Sequence, residues 1–152
     1  MEWRYALLGD CPTLAKLNRQ LIQDEGHRNP MTVWQLEERM RGWLSSGEYQ
    51  AVLFFQQGEP VAYALYKETD DEIYLRHFFV VRGRRRQGIG RAAIGKLFTE
   101  IWPQEKRLTV SVLTENTAGV SFWRAMGFRD YSLMLEILPG ETLVHLFSSS
   151  YR

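Results

Sequence analysis

The chain has 152 residues, close to one domain at about 150 residues per domain, and its 45% hydrophobic and 24% charged residues can bury a core, which excludes intrinsic disorder. With 19 Lys plus Arg against 18 Asp plus Glu the formal net charge is +1, so no global field draws the chain to nucleic acid or an anionic membrane. A single cysteine, Cys11, excludes an intramolecular disulfide and a multi-thiolate zinc site, and no apolar run approaches the roughly 18 residues that span a bilayer, so a cytoplasmic protein without a metal is expected.

In chain order, Glu2 to Leu8 reads as a strand, and Asp10 or Cys11 as the cap of a helix from Pro12 to Glu25 that stops at Gly26. Thr32 caps a second helix to Ser45 whose Val33, Leu36, Met40 and Trp43 follow three-and-four spacing. Tyr49 to Gln56 and Val61 to Tyr66 are β-rich runs joined through Gln57-Gly58-Glu59-Pro60, which predicts a hairpin. Ile73 to Val81 is a further strand. From Gln87 to Trp102 an apolar stripe of Ile89, Ala93, Ile94, Leu97, Phe98 and Ile101 predicts one helix, stopped before Pro103. Arg107 to Leu113 reads as a strand, Ala118 to Met126 as a short helix closed by Gly127, and Phe128 to Leu138 as one strand or two. The tail from Gly140 is undecided, although Leu143, Val144, Leu146 and Phe147 could pair across a homodimer. This order mixes hairpins with strand-helix-strand crossovers, so a single α/β (α+β) domain over residues 1–152 is expected, with a mixed, mostly antiparallel sheet flanked by helices.

The strongest local signal is Val80-Val81-Arg82-Gly83-Arg84-Arg85-Arg86-Gln87-Gly88-Ile89-Gly90-Arg91, a strand running into a basic, glycine-spaced turn that opens a helix. Free N–H groups at a helix start, glycines that let backbone approach closely and arginine forks together make a cradle for phosphate oxygens. Gly88-Ile89-Gly90-Arg91-Ala92-Ala93 also fits the dinucleotide pattern G-x-G-x-x-A, but there the glycines follow the strand almost directly, and here six residues intervene after Val81. The triphosphatase loop needs Gly-Lys-Ser/Thr, and Gly90 is followed by Arg91-Ala92.

Arg85-Arg86-Gln87-Gly88-Ile89-Gly90 resembles, residue for residue, the Arg/Gln-x-x-Gly-x-Gly/Ala motif of the GCN5-related N-acetyltransferase (GNAT) superfamily. Asn116 and then Phe122-Trp123-Arg124-Ala125-Met126-Gly127-Phe128 resemble that family's next motif at the right spacing, so the resemblance covers about Tyr49 to Leu138. It implies six to seven strands with about four helices, and acetyl-CoA as co-substrate. On the same grounds backbone N–H groups from Arg86 to Arg91 hold the pyrophosphate, beside Arg85. Phe78, Phe79 and Val80 pair with the pantetheine arm where the fourth and fifth strands splay, and an N–H near Val80 serves as oxyanion donor. Asn116 would bond the arm or cap its own helix.

Two family features are missing. Trp123 stands where a tyrosine often protonates the departing sulfur, and an indole N–H donates hydrogen bonds without acting as an acid. A thiol of pKa near about 8.5 leaves tolerably without help. No acid occupies the usual strand positions, so Glu25 and His77 form the base shortlist. His77 shares a two-residue alternation with Ile73, Leu75, Phe79 and Val81, and Glu25 falls on the Leu14, Leu17, Leu21 stripe together with Asn18. Cys11 lies far from both motifs, as a structural thiol would. The expected activity is N-acetyl transfer to a primary amine of a small molecule or peptide by direct attack. The alternative is a non-catalytic acyl-CoA-binding sensor. Nucleic-acid binding is disfavoured by the charge balance.

Overall fold

A computed structural model describes residues 1–141. Strands β1 (Glu2–Tyr5), β2 (Gln50–Gln56), β3 (Glu59–Glu68), β4 (Glu72–Val80) and β5 (Arg107–Val110) form one sheet in sequential order. The first three pairings are antiparallel, and β4 pairs with β5 in parallel. Helices α1 (Cys11–Glu25) and α2 (Val33–Ser46) precede β2, α3 (Ile89–Lys96) connects β4 to β5, and α4 (Thr117–Ala125) follows β5.

The sheet is buried on both faces, which explains why its inner strands carry nearly continuous apolar runs. Ala51 and Leu53 of β2, with Tyr63, Leu65 and Phe79, pack against Leu14, Leu17 and Leu21 of α1 and Met40 of α2. Their alternates Val52 and Phe54, with Ala64, Ile73 and Leu75, pack against Ile89, Ala93 and Ile94 of α3 and Trp123 of α4. Each large side chain removed from water in this way contributes about 1.5–3 kcal/mol.

Local chemistry sets the boundaries. Thr32 Oγ1 accepts from the Gln35 N–H at 3.2 Å while Gln35 Oε1 accepts from the Thr32 N–H at 2.9 Å, a reciprocal cap that starts α2. Asp10 does not cap α1 through its side chain. Its carboxylate instead takes the Leu7 N–H and a bidentate bond from Arg4, fixing β1 to the turn Leu8–Asp10. The single helix expected from Gln87 to Trp102 is shorter: α3 ends at Lys96 and widens into a π-helical turn, Leu97–Ile101, closed by the Trp102 N–H on the Leu97 carbonyl at 2.8 Å. Trp102 is thereby buried against Tyr66, ring centroids 5.5 Å apart.

The expectation of six to seven strands is corrected to five, with four α-helices, among the described residues. Phe128 to Leu138 form neither helix nor strand. Tyr131, Leu133, Met134, Leu135 and Ile137 are exposed, and the segment is held by side chains at its ends, Arg124 on Asp130 and Arg28 on Glu136. β-rich composition makes a strand only where a neighbouring edge accepts its ladder. Leu143, Val144, Leu146 and Phe147, the residues read as a dimer contact, lie outside the described residues.

Candidate active site

The site begins with an irregularity in β4. Leu65 pairs with His77 and Tyr66 with Leu75, so Arg76 is an extra residue opposite no partner, a β-bulge. A bulge reverses the alternation. Ile73 and Leu75 face α3 and α4, whereas His77 and Phe79 face α1 and α2 and Phe78 and Val80 return to the first side. The uniform alternation expected from Ile73 through His77 to Val81 is therefore corrected: His77 shares its face with Phe79, and not with Ile73 or Leu75.

The same place opens the sheet. β5 pairs with β4 only from Glu72 to Leu75 and stops at Val110, short of the Leu113 expected, so β4 from Arg76 to Val80 has no strand on that edge among the described residues. The Val81 N–H donates to the Val61 carbonyl at 2.9 Å, toward β3. Since successive N–H groups of a strand point to opposite sides, those of Val80 and Phe78 point into the split. The expected splay, with an N–H of Val80 directed into it, is present.

Below the split lies the basic turn. The first α3 amide to find a backbone partner is that of Ala92, which reaches the Gly88 carbonyl at 3.0 Å; the N–H groups from Arg86 to Gly90 make no hydrogen bond among the described residues. Gly88 takes φ 76° at the N-cap, a conformation side chains resist. Gly90 serves close approach, because a Cβ there would stand 3.2 Å from the Phe122 ring and 3.5 Å from Val80 Cγ2. The turn therefore presents a row of free amides at a helix start, where anions bind.

Its arginines divide. Arg82 Nη2 and Arg85 Nη2 grip the two oxygens of Asp24 at 2.6 and 2.7 Å, and Arg85 Nε donates to the Val80 carbonyl at 3.2 Å. Arg84 lines a shallow depression beside Met1, Glu2 and Phe55. Arg86 and Arg91 are exposed and, like Arg84, in no ion pair among the described residues. Five arginines in the sequence thus reduce to three outside ion pairs, Arg84, Arg86 and Arg91, among the described residues. Asp24, which organises the turn, was not foreseen, and nothing in the local sequence separates it from any other helix-terminal acid.

Asn116 caps α4, its Oδ1 accepting from the Gly119 N–H at 3.0 Å, which leaves the Nδ2 amide free to donate. Trp123 is buried, with ring centroids 4.9 Å from Phe122, 5.4 Å from Phe128 and 5.6 Å from Phe78, so its indole fills an aromatic cluster at the back of the split.

On the other face, Glu25 and His77 approach one region from α1 and β4. His77 is buried, with Nδ1 3.2 Å from the Tyr63 hydroxyl. Burial, then the charges of Arg39 and Arg76, press its pKa from 6.5 down to about 3, so the ring is neutral. Burial raises the Tyr63 hydroxyl well above its ordinary range, so it too is neutral. Glu25 is half-buried with its Oε1 3.0 Å from His27 Nε2, and burial raises its pKa despite that contact. Cys11 is buried and its thiol raised by burial, away from the split. Among the described residues no group of three His, Cys, Asp or Glu side chains is arranged to hold a metal, and no helix is long and apolar enough to cross a membrane.

A mostly antiparallel sheet that parts at a bulge, beside a strand-to-helix turn of free amides, defines a class of small α/β domains with a cleft at the split. The chain belongs to the acetyltransferase (GNAT) family, whose model matches residues 15–128. The match takes in the two amino-terminal helices from inside α1, whose layout agrees with the family less specifically than the motifs do, and ends at Phe128. No curated protein matches the sequence. Solved structures share the fold at low identity: a Bacillus halodurans protein solved as a point mutant (18% identical, TM-score 0.76, covering 91% of this chain and 99% of that one), a predicted acetyltransferase from Clostridium acetobutylicum solved with acetyl-CoA (16%, 0.72, 93% and 98%), and an aminoglycoside antibiotic 6'-N-acetyltransferase from Acinetobacter haemolyticus (15%, 0.72, 91% and 97%).

Proposed function

We propose that this protein is an acetyl-CoA-dependent N-acetyltransferase that acetylates a primary amine of a small molecule or peptide by direct attack. The observation that carries the reading is the alignment of the free amides from Arg86 to Gly90 with the open edge of β4 above them. These residues fit acetyl-CoA: the amides from Arg86 to Arg91, joined by the Arg86 and Arg91 side chains, suit a pyrophosphate, with Gln87, Gly88 and Ile89 in the row and Arg85 bracing the turn. Phe78 and Val80, on either side of Phe79 whose backbone faces β3, turn N–H groups toward the pantetheine arm, with the Asn116 amide as a further donor. Bound there, acetyl-CoA supplies an acetyl group activated as a thioester.

The remaining work falls to the chain. The Val80 N–H, pointing into the split, is placed to stabilise charge developing on an acyl oxygen. An attacking amine needs a free lone pair, so a proton must leave it. His77 is a poor receiver, since an imidazole pressed to about 3 binds protons too weakly. Glu25 is the better base because burial makes its carboxylate more basic. Trp123 packs, so the thiol departs without a protein acid. Work in the cytoplasm, apart from nucleic acid and membranes, accords with the near-even charge balance. The second reading is a sensor that binds the same group without turnover, and the packed Trp123 in the usual acid's place favours it.

Calorimetric titration with acetyl-CoA, followed by CoA-thiol release with a panel of amines, tests the reading. Saturable binding with amine-dependent release is expected. Binding with no release from any amine selects the acyl-CoA sensor, and absence of binding removes both.

A further inference from the structure

We infer that the acceptor amine also carries an oxoanion, a carboxylate or a phosphate, held by Arg39 and Arg76 beside Trp43. The inference rests on the acetyl-transfer reading and names the acceptor class that reading leaves open. Arg39 of α2 and Arg76 of the β4 bulge place their guanidinium carbons 4.5 and 4.7 Å from the centroid of one indole, that of Trp43. Two like charges sharing one ring repel, and the Arg76 charge, after burial, holds the Arg39 pKa below its ordinary value.

No carboxylate relieves this. Among the described residues neither arginine is in an ion pair; Glu37 pairs instead with Arg41 at 2.9 Å and Glu48 with Lys67 at 3.6 Å. Arg39 Nε is buried with no hydrogen-bond partner, and Arg76 gives one bond, to the Tyr49 hydroxyl at 3.3 Å. A buried, unmatched N–H on a half-buried guanidinium is costly, and an oxoanion is the ligand whose geometry matches the fork.

The placement joins this pair to the chemistry. Arg76 immediately precedes His77 and marks where β4 leaves β5. Tyr63, hydrogen-bonded to His77, feels the charges of both Glu25 and Arg39, so these groups share one neighbourhood. The amine end then belongs to Glu25 and the Val80 N–H, and the anionic end to Arg39 and Arg76. Four strand steps lead from Arg76 to Val80, roughly 13 Å, which bounds the acceptor to a short molecule such as an amino acid, a dipeptide or a small amine phosphate.

The test compares matched acceptors in CoA-thiol release: an amino acid against its carboxamide, and ethanolamine phosphate against ethanolamine. The charged member of at least one pair is expected to show kcat/KM about 10-fold or more above its neutral partner, the pair identifying carboxylate or phosphate. Arg39→Gln and Arg76→Gln should erase the preference through KM, with acetyl-CoA affinity unchanged. Arg76 is exposed, so its variant folds even where that of Arg39 does not. Calorimetric titration of the same charged acceptors into CoA-saturated protein reads the arginines without turnover. Equal kcat/KM within both pairs, or binding unchanged in both variants, overturns the inference while leaving acetyl transfer intact; acetyl-CoA failing to bind removes the parent reading instead.

Discussion

Asp24 at the end of α1 holds Arg85, with Oδ2 2.7 Å from Nη2, and the same guanidinium holds the Val80 carbonyl through Nε at 3.2 Å. One carboxylate thus links the helix that carries Glu25 to the strand end at the split and to the amide turn.

Asp24→Ala should weaken acetyl-CoA binding by about 10-fold while lowering stability by roughly 1 kcal/mol or less, since half-exposed ion pairs contribute little to folding. The hydrogen bond from Arg82, and then that from Arg85, hold the Asp24 carboxyl below its ordinary pKa. A lowered carboxylate keeps its contribution above the ordinary range and loses it only as pH falls through the lower folded value. Cofactor affinity in the native protein should therefore show no step from Asp24 between about pH 5 and 9. Calorimetry and a thermal melt check both statements, and an unaltered Kd in the variant would refute the link.

Two glycines of α3 make a matched pair. Gly95 has open space where an added methyl group would stand, so Gly95→Ala should stabilise the protein by about 0.4–1 kcal/mol through helix propensity and reduced freedom of the unfolded chain. Gly90→Ala gains the same propensity but must displace the Phe122 ring, 3.2 Å from the new carbon, and Val80 beside it. Overpacking of this kind costs about 1–3 kcal/mol, so the net effect should be a lower Tm, with weaker acetyl-CoA binding. Equal melts for the two variants would show that the close approach carries no constraint.

The acid limb of stability should belong in part to His77. Its folded pKa of about 3 lies below the 6.5 of the unfolded ring, so between these values the unfolded chain binds more protons. Stability is fully present above 6.5 and falls by about 1.4 kcal/mol for each unit of pH below it, toward 3. His77→Gln cannot titrate and can still share a hydrogen bond with the Tyr63 hydroxyl, so its stability should decline less steeply over that window. Denaturant melts across the window decide it; parallel curves for the two proteins would contradict the burial of a neutral ring.

Much of this architecture was written in local pattern. Thr32 with Gln35, Gln57-Gly58, and the glycines at 88 and 90 each report chemistry confined to a few neighbours, and α1, α2 and the β2–β3 hairpin follow from them. The bulge was not legible, because Arg76 is extra only with respect to the partner strand: Leu65 and Tyr66 decide it, and they lie about ten residues away. The same blindness placed His77 with Ile73 and Leu75. Counting arginines in the turn overstated the cradle's charge, since Asp24 lies 58 residues before Arg82 and claims two of them. Arg39 and Trp43, four apart on α2, were close enough to be seen as a stacked pair, but their neighbour Arg76 is set by the fold.

Trp123→Phe separates packing from chemistry. Phenylalanine preserves most of the ring contacts with Phe78, Phe122 and Phe128 and removes the N–H. If the indole only packs, kcat should change by less than about 3-fold, against the roughly 10²–10⁴ that loss of an acid catalyst brings. Trp123→Ala should instead cost about 3–5 kcal/mol of stability. A large fall in kcat in a Trp123→Phe protein of unaltered melt would restore the indole to the reaction.

The pH dependence of turnover isolates Glu25. Burial raises its pKa above the ordinary 4.5 and outweighs the hydrogen bond from His27, so the carboxylate that receives the amine's proton forms only as pH rises through that higher value. Turnover should climb along this limb and then level. Glu25→Gln keeps the side chain's size and its capacity to accept from His27, yet cannot take up a proton; kcat should fall about 10²-fold and the limb should vanish. His77→Gln should leave the limb where it is, because a ring with a pKa of about 3 is neutral throughout the range. A profile displaced by His77→Gln and untouched by Glu25→Gln would exchange the two roles.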